Sequence, residues 1–480
     1  MSTVRSAITP TKSSVRVILV VLLGLASIIP LGIVDGVATE RRGYFDQARH
    51  EVADSWGLPQ VLTGPVLVVP VDYVPTEPVG GWARNAQATR AQNQIVRKHV
   101  VLLPDELVID GAVDYELRER AIYQIALFAA EVHISGAFAN PRARVEEYLS
   151  SLGSNKGLVD FSGAKLVIGI SDPRAIRLGT TKNGATRPQS MMWGDSTGVL
   201  EAGSLQAIIG ASVQVPVTIK AASEANETTP FELQLTLGTT QRLAVNALGG
   251  NTRFTLASSW PHPSFNGAHS PVRRELSAAG FDAVWEVHGL ARNLPAIWVH
   301  EDQPRSMSGQ QMGVSFYNPV TTYTIIDRGT KYGLLFIALT FLTFLCFELS
   351  GGTEFHVVQY AVVSLGLIMF YMTLLATSEH LNFALSYVLA TTLIVGLLGA
   401  YTWSMTKRQK NQRVLTATIV GVLLGLYVTL FVLLQLEDYA LVMGTMLLLI
   451  GLTALMYATR DLHKDLAVPG TRQMSELVQE

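Results

Sequence analysis

The sequence predicts a polytopic α-helical membrane protein of six transmembrane helices, one plus five, with a large β-rich domain (α+β, mainly antiparallel) inserted between the first and second helices. Three observations predict it. Six apolar runs are long enough to cross a bilayer, because ~20 residues at ~1.5 Å rise span the ~30 Å hydrocarbon core. Residues 35–330 separate the first run from the other five and carry the two-residue hydrophobic period of strands. Apolar residues make up 49% of the 480, even with glycine left out, which favours a membrane protein over a large soluble one.

The N-terminal tail, residues 1–16, is polar and carries Arg5, Lys12 and Arg16; residues 17–34 form the first apolar run, broken by Pro30 near its far end. A cleaved signal peptide has a similar start. An uncleaved anchor is expected here, because no small-x-small cleavage site precedes Thr39 and the run leads straight into a helical pattern. In that pattern Val37, Tyr44, Ala48 and Val52 share one face among charged neighbours, and Gly57 and Pro59 should stop the helix.

From Gly64 the period becomes that of strands. Strands are expected over residues 66–71, 97–103, 107–117 and 122–134, with a bulge at Gly111 where the alternation slips by one residue. Residues 73–94 are rich in Gly, Pro, Ala and Gln and read as an exposed loop. A short helix should follow over residues 142–152, with Asn140 as its cap and Pro141 in its first turn. Further strands are expected over residues 165–170, 212–219, 231–237, 242–245 and 253–258. The strict alternation from Phe231 to Leu237 gives one buried and one wet face, the pattern of an antiparallel sheet. The domain has no glycine-rich phosphate loop, no nucleophile elbow and no zinc-protease helix.

After the insert come apolar runs beginning at Lys331 and covering residues 357–376, 383–405, 414–434 and 439–459. The short loops orient them. With the N-terminus inside, the inner segments hold Lys407, Arg408, Lys410, Arg413, Arg460, Lys464 and Arg472, whereas the outer hairpins, 377–382 and 435–438, hold no Lys or Arg. The expected organisation is therefore a cytoplasmic tail at 1–16, a span at 17–34, an extracytoplasmic β-rich domain at 35–330, a five-helix membrane domain at 331–459 and a cytoplasmic tail at 460–480.

The totals exclude several function classes. With 36 Lys and Arg against 38 Asp and Glu, and no basic block, a nucleic-acid partner is not expected. The one cysteine, Cys346, lies in an apolar run, so neither an intrachain disulfide nor a cysteine-ligated zinc is available. His262, His269, His288 and His300 match no ligand spacing, and no metal or other cofactor is expected. No ionisable residue stands near the middle of a span, where pumps and transporters keep them. Gly421 and Gly425 form a Gly-x-x-x-Gly pattern read as close helix packing within the bundle.

Several patches occur along the chain as a set: Trp56-Gly57-Leu58-Pro59-Gln60 with Gly64-Pro65 and the apolar run after it, Arg120-Ala121-Ile122-Tyr123, Trp260 with Pro263-Ser264-Phe265-Asn266-Gly267, Gly280-Phe281-Asp282-Ala283-Val284-Trp285, Ser378-Glu379-His380, Gln435 to Leu441, and the lead-in Gly313 to Val320 before the Lys331 run. Together they resemble the CreD family of bacterial inner-membrane proteins. Ala121, where the family has Gly, and His269-Ser270, where it tends to be apolar, depart from the pattern. The resemblance implies an inner-membrane location, a periplasmic domain, and a role in cell-envelope integrity and stress response. It supplies no catalytic residues. A non-enzymatic protein that binds an envelope protein or a periplasmic ligand, or senses envelope state, is expected; the alternative is a membrane enzyme or transport component handling a lipid or glycan precursor.

Candidate interaction residues are Arg120, Trp260, Phe265 and Trp285 in the domain, and Glu379, His380, Glu437, Asp438 and Tyr439 in the outer hairpins. Trp260 and Phe265 read either as a ligand-stacking loop or as plugs at the end of a β core. The hairpin carboxylates read either as helix N-terminal caps or as an acidic floor that docks a cation or a basic patch.

Overall fold

The computed structural model describes residues 12–73, 96–152, 158–177, 179–180, 186–187, 190–220, 227–316, 322–351, 356–405, 412–435 and 440–459. It divides into two compact units, residues 1–46 with 320–480, and residues 47–319. The expected loop at residues 73–94 falls, but for Tyr73, outside the described residues.

In the first unit, helix Lys12–Ala26 gives way at Ser27 to helix Ile28–Trp56. Pro30 explains the break: it has no N–H for the Ala26 carbonyl three to four residues back, and the Ser27 hydroxyl donates to Leu23 O at 2.9 Å beside the opening. Helices Thr322–Gly351, Val357–Ser378, Phe383–Met405, Gln412–Gln435 and Ala440–Thr459 follow. Among the described residues, five helical segments are long and apolar enough to cross a membrane. Val34, Ile337, Phe370, Tyr371, Tyr427 and Leu430 are among the residues of its core. The buried hydroxyls of Thr340 and Thr402 donate to the carbonyls of Phe336 and Leu398 four residues back, so they cost the apolar interior little. Two polar contacts tie the first long helix to this unit, Thr330 Oγ1 donating to Asp35 at 3.0 Å and Arg41 paired with Glu379 at 3.5 Å.

The Gly-x-x-x-Gly reading needs correction. Ideal Cβ atoms at Gly421 and Gly425 meet nothing within 4 Å, whereas at Gly329 and Gly333 they fall 3.3 Å from the Tyr371 ring. The groove that admits a neighbour is the one the tyrosine fills, and the 421–425 pattern points outward.

The second unit is built from two large sheets over a shared core. One runs Glu201–Ala202, Ser212–Pro216, Lys165–Ile170, Gln60–Tyr73, Arg242–Asn246, Gln311–Phe316 and Pro263–Gly267, with Val96–Leu102 also paired to Gln60–Tyr73. The other runs Ser196–Val199, Ser190–Trp193, Thr228–Thr239, Tyr123–Ala139, Glu106–Arg120, Asn251–Ser258, Gly280–His288 and Arg273–Ser277. Most pairings are antiparallel; Gln60–Leu62 with Leu243–Val245, and Glu106–Val113 with Asn251–Ser258, are parallel. Leu107, Ile109, Ile134, Leu235, Phe254 and Trp285 point into the core from the second sheet and Leu67, Val69, Leu102 and Leu166 from the first. A smaller cluster around Val68, Val101, Leu248, Trp298 and Met307 covers part of the first sheet's other face.

Three local expectations change. There is no bulge at Gly111: Glu106–Arg120 pairs with Tyr123–Ala139 in unbroken register. Gly111 and Val113 face inward and Ala112 outward, because the Leu256 side chain occupies the space a Cβ at Gly111 would need, 2.7 Å away. Residues 263–267 are an edge strand rather than a loop, paired with Gln311–Phe316. Asn140 stands before helix Pro141–Ser151, but at φ 44°, with no hydrogen bond from its side chain to the helix.

Candidate functional site

The domain residues singled out from the sequence belong to the core and its margins. Trp285 is fully buried and stacks on Phe254 at 4.9 Å. Phe265, on the edge strand, meets Trp285 edge-on at 5.9 Å and Phe281 at 5.8 Å. Trp260 is 7% exposed, lies edge-on to Phe128 and Tyr115, and donates from Nε1 to His262 O at 3.1 Å. This geometry supplies buried aromatic area. Arg120 is apart from them, at a hairpin tip, 3.5 Å from Glu51.

The hairpin at residues 377–382 requires a directional correction. Ser378 is the last residue of helix Val357–Ser378 and Glu379 its C-cap; Ser378 Oγ donates back to Leu375 O, and Asn382 caps the next helix by accepting from Leu385 N. A carboxylate at a helix C-terminus faces the negative end of the dipole, so Glu379 gains nothing there from the helix and is held instead by Arg41. His380 is exposed beside it. Glu437, Asp438 and Tyr439 lie outside the described residues.

Among the polar-lined clefts of the β-rich unit, two differ in what their polar groups already do. The first, of about 340 Å³, is floored by Val68 and Pro70. Its charges are spent on neighbours. Arg97 forks onto Asp72 at 2.8 and 3.1 Å, holding that carboxyl below its usual range by hydrogen bonding. His99 Nδ1 lies 2.7 Å from Glu301, and Lys165 donates to Ser204 at 2.9 Å. Asp160 accepts from the Ser162 hydroxyl and Gly163 N–H, which lower it in turn.

The second cleft, of about 190 Å³, lies where helix Pro141–Ser151 begins. Three pieces of chain meet there. The Trp193–Ser196 turn closes the Ser190–Val199 hairpin, and Gly194, at φ 54°, donates its N–H to Pro230 O at 2.8 Å; this presents Asp195 at the rim. The start of Thr228–Thr239 supplies Thr228, Thr229 and Pro230, and Asn140 N donates to Glu227 O at 2.9 Å. Thr218, Ile219 and Lys220 form the third wall, with the Trp193 indole donating to Thr218 O at 3.4 Å. The side chains of Asn140, Asp195, Lys220 and Glu227 make no hydrogen bond or ion pair among the described residues. Arg142 is already engaged by Glu146 and lies over the Phe161 ring at 4.5 Å. Polar groups of both signs thus face open volume with their capacity unspent, beside the apolar surface of Trp193, Pro141 and Pro230.

Sequence reasoning missed these residues. The signal available was Trp193-Gly194-Asp195, a Gly-Asp turn after an aromatic; nothing local places it beside Asn140, more than fifty positions earlier. Among the described residues no group of three His, Cys, Asp or Glu side chains is arranged to hold a metal ion.

The model of the family described as inner membrane protein CreD matches residues 12–464. The chain belongs to the CreD family. Inner membrane protein CreD of Escherichia coli (strain K12) is 29% identical over 441 residues, covering 91% of this chain and 90% of that protein. The match to CreD therefore runs through the membrane-length helices and the β-rich unit alike, and identifies an inner-membrane protein without naming a reaction.

Proposed function

We propose that this protein is a six-span inner-membrane protein with both termini in the cytoplasm, whose β-rich domain stands in the periplasm and supports cell-envelope integrity by binding an envelope component there. Family membership supports the envelope setting. The excess of Lys and Arg in the inner loops supports the orientation, and helix Ala440–Thr459 supplies the sixth span. The observation that carries the binding role is the second cleft, lined by the exposed side chains of Asp195, Lys220 and Glu227 and the half-buried Asn140, which pair with nothing among the described residues. Concave sites with a few convergent polar groups are where small ligands bind.

Impermeant thiol labelling of intact cells tests the placement. In a Cys346→Ser background, Asp195→Cys and Glu379→Cys are expected to react from outside and Gln409→Cys only after lysis. Reaction of Gln409→Cys in intact cells would overturn the six-span arrangement. Envelope sensitivity to detergent then reads the role: loss of the protein raises it, and so does Asp195→Asn with Glu227→Gln at unchanged protein level.

A further inference from the structure

We infer that the cleft at the start of helix Pro141–Ser151 binds a saccharide unit; this rests on the reading of the domain as an envelope-facing binding module. Its volume of about 190 Å³ is below the ~300–1,000 Å³ of sites for drug-sized ligands, and suits a single ring-sized unit rather than an extended cofactor. Charge narrows the class. Lys220 and the engaged Arg142 line the cleft together with Asp195 and Glu227, so the cleft lacks the excess of cations that recognises a phosphate or a carboxylate.

The inventory of free groups narrows it further. Every sugar hydroxyl both donates and accepts, so a site for it needs both kinds of partner side by side. Asp195 and Glu227 accept, Lys220 donates, and the Asn140 amide does both; none of the four spends this capacity on another described residue. Asn140 is held with left-handed backbone, φ 44° and ψ 52°, and its N–H is tied to Glu227 O. The C–H face of a pyranose needs an apolar surface, and exposed Pro230 provides one, with the largely buried Trp193 and Pro141 also lining the cleft. An extended peptide is the poorer fit, because it docks through a free strand edge or a row of apolar pockets. The Ser190–Trp193 strand beside the cleft is already paired on both sides.

The test uses the full-length protein in detergent, with glucose, N-acetylglucosamine and chitobiose as probes and saturation-transfer NMR as the readout. Transfer to the ring protons of at least one probe is expected at about 10 mM, where millimolar sites fill. Affinity should fall about tenfold in Asp195→Asn and in Glu227→Gln, each of which removes a charge-assisted hydrogen bond. Both side chains are exposed and unpartnered, so melting temperatures should not move. Absence of transfer from all three sugars overturns the proposal, as does equal transfer in the variants, or occupancy by inorganic phosphate alone. The two readings fail separately. Labelling of Asp195→Cys only after lysis, with sugar binding intact, sinks the periplasmic placement and keeps the site; labelling from outside with no sugar bound does the reverse.

Discussion

Ala121 joins two long strands through a two-residue loop, with Arg120 paired to Tyr123, and holds φ 54°. A side chain there meets the steric cost that makes left-handed backbone a glycine preserve, ~1–2 kcal/mol. Ala121→Gly should therefore stabilise the domain by ~1 kcal/mol, read as a rise in melting temperature, although glycine returns some entropy to the unfolded chain. Glu301 gives a pH prediction. Partial burial pushes its carboxyl up, but hydrogen bonds from the His99 ring at 2.7 Å and the His99 N–H at 2.8 Å outweigh it and leave the group below its ordinary 4.5. A carboxyl lowered on folding contributes stability above its unfolded pKa and loses it as pH falls through the folded one. Glu301→Gln should thus cost stability at pH 7, and the gap from the parent should narrow progressively below about pH 4.5; melting curves at both ends check it.

The end of helix Ile28–Trp56 shows how an element is fixed from outside itself. Gly57 takes φ 144°, and a Cβ there would sit 2.3 Å from Gly238 O. The last carbonyls of the helix are met by Arg177, which donates to Trp56 O at 2.7 Å and Ser55 O at 3.3 Å and lies over the Trp56 ring at 4.3 Å; Trp56 Nε1 donates to Phe128 O. A cation at a helix C-terminus and over an aromatic face acts through two terms at once. Arg177→Ala should cost ~1–2 kcal/mol and speed amide exchange in the last helical turn, and Arg177→Lys should restore only part, lacking the planar fork. The sequence marks this stop through Gly57 and Pro59. It contains no local sign of Arg177, which comes 121 positions later.

At the scale of the molecule, the two units have separate cores, one of aromatic and branched side chains between sheets and one between helices. Trp285→Ala, at a fully buried position stacked on Phe254, should destabilise the β-rich unit by ~3–5 kcal/mol. The helical circular dichroism of the membrane unit should persist through that transition, giving two steps on heating where single-domain proteins give one. Trp285→Phe should cost much less than Trp285→Ala, because the buried indole N–H has no partner to lose.

What was legible in the sequence follows from what is local. An apolar run of membrane length, a two-residue alternation and a Gly-Pro stop are each decided within ten to twenty residues, so the helices, most strands from Gln60 to Ser258 and the end of helix Ile28–Trp56 could be read directly. The strands after Trp260 could not, because Pro263–Gly267 and Arg273–Ser277 are edge strands with little burial of their own and exist by pairing with Gln311–Phe316 and Gly280–His288. The direction of the helix ending at Ser378 was available in the chain and was misread, which put Glu379 at the wrong end of a dipole. Sequence by itself determined a membrane-anchored β-rich protein of the CreD family. Only the tertiary structure decided that Tyr371 fills the Gly329–Gly333 groove and that Asn140, Asp195 and Glu227 meet around one cleft. Such contacts join residues tens of positions apart through sheet register and packing, and no periodicity within a single segment records them.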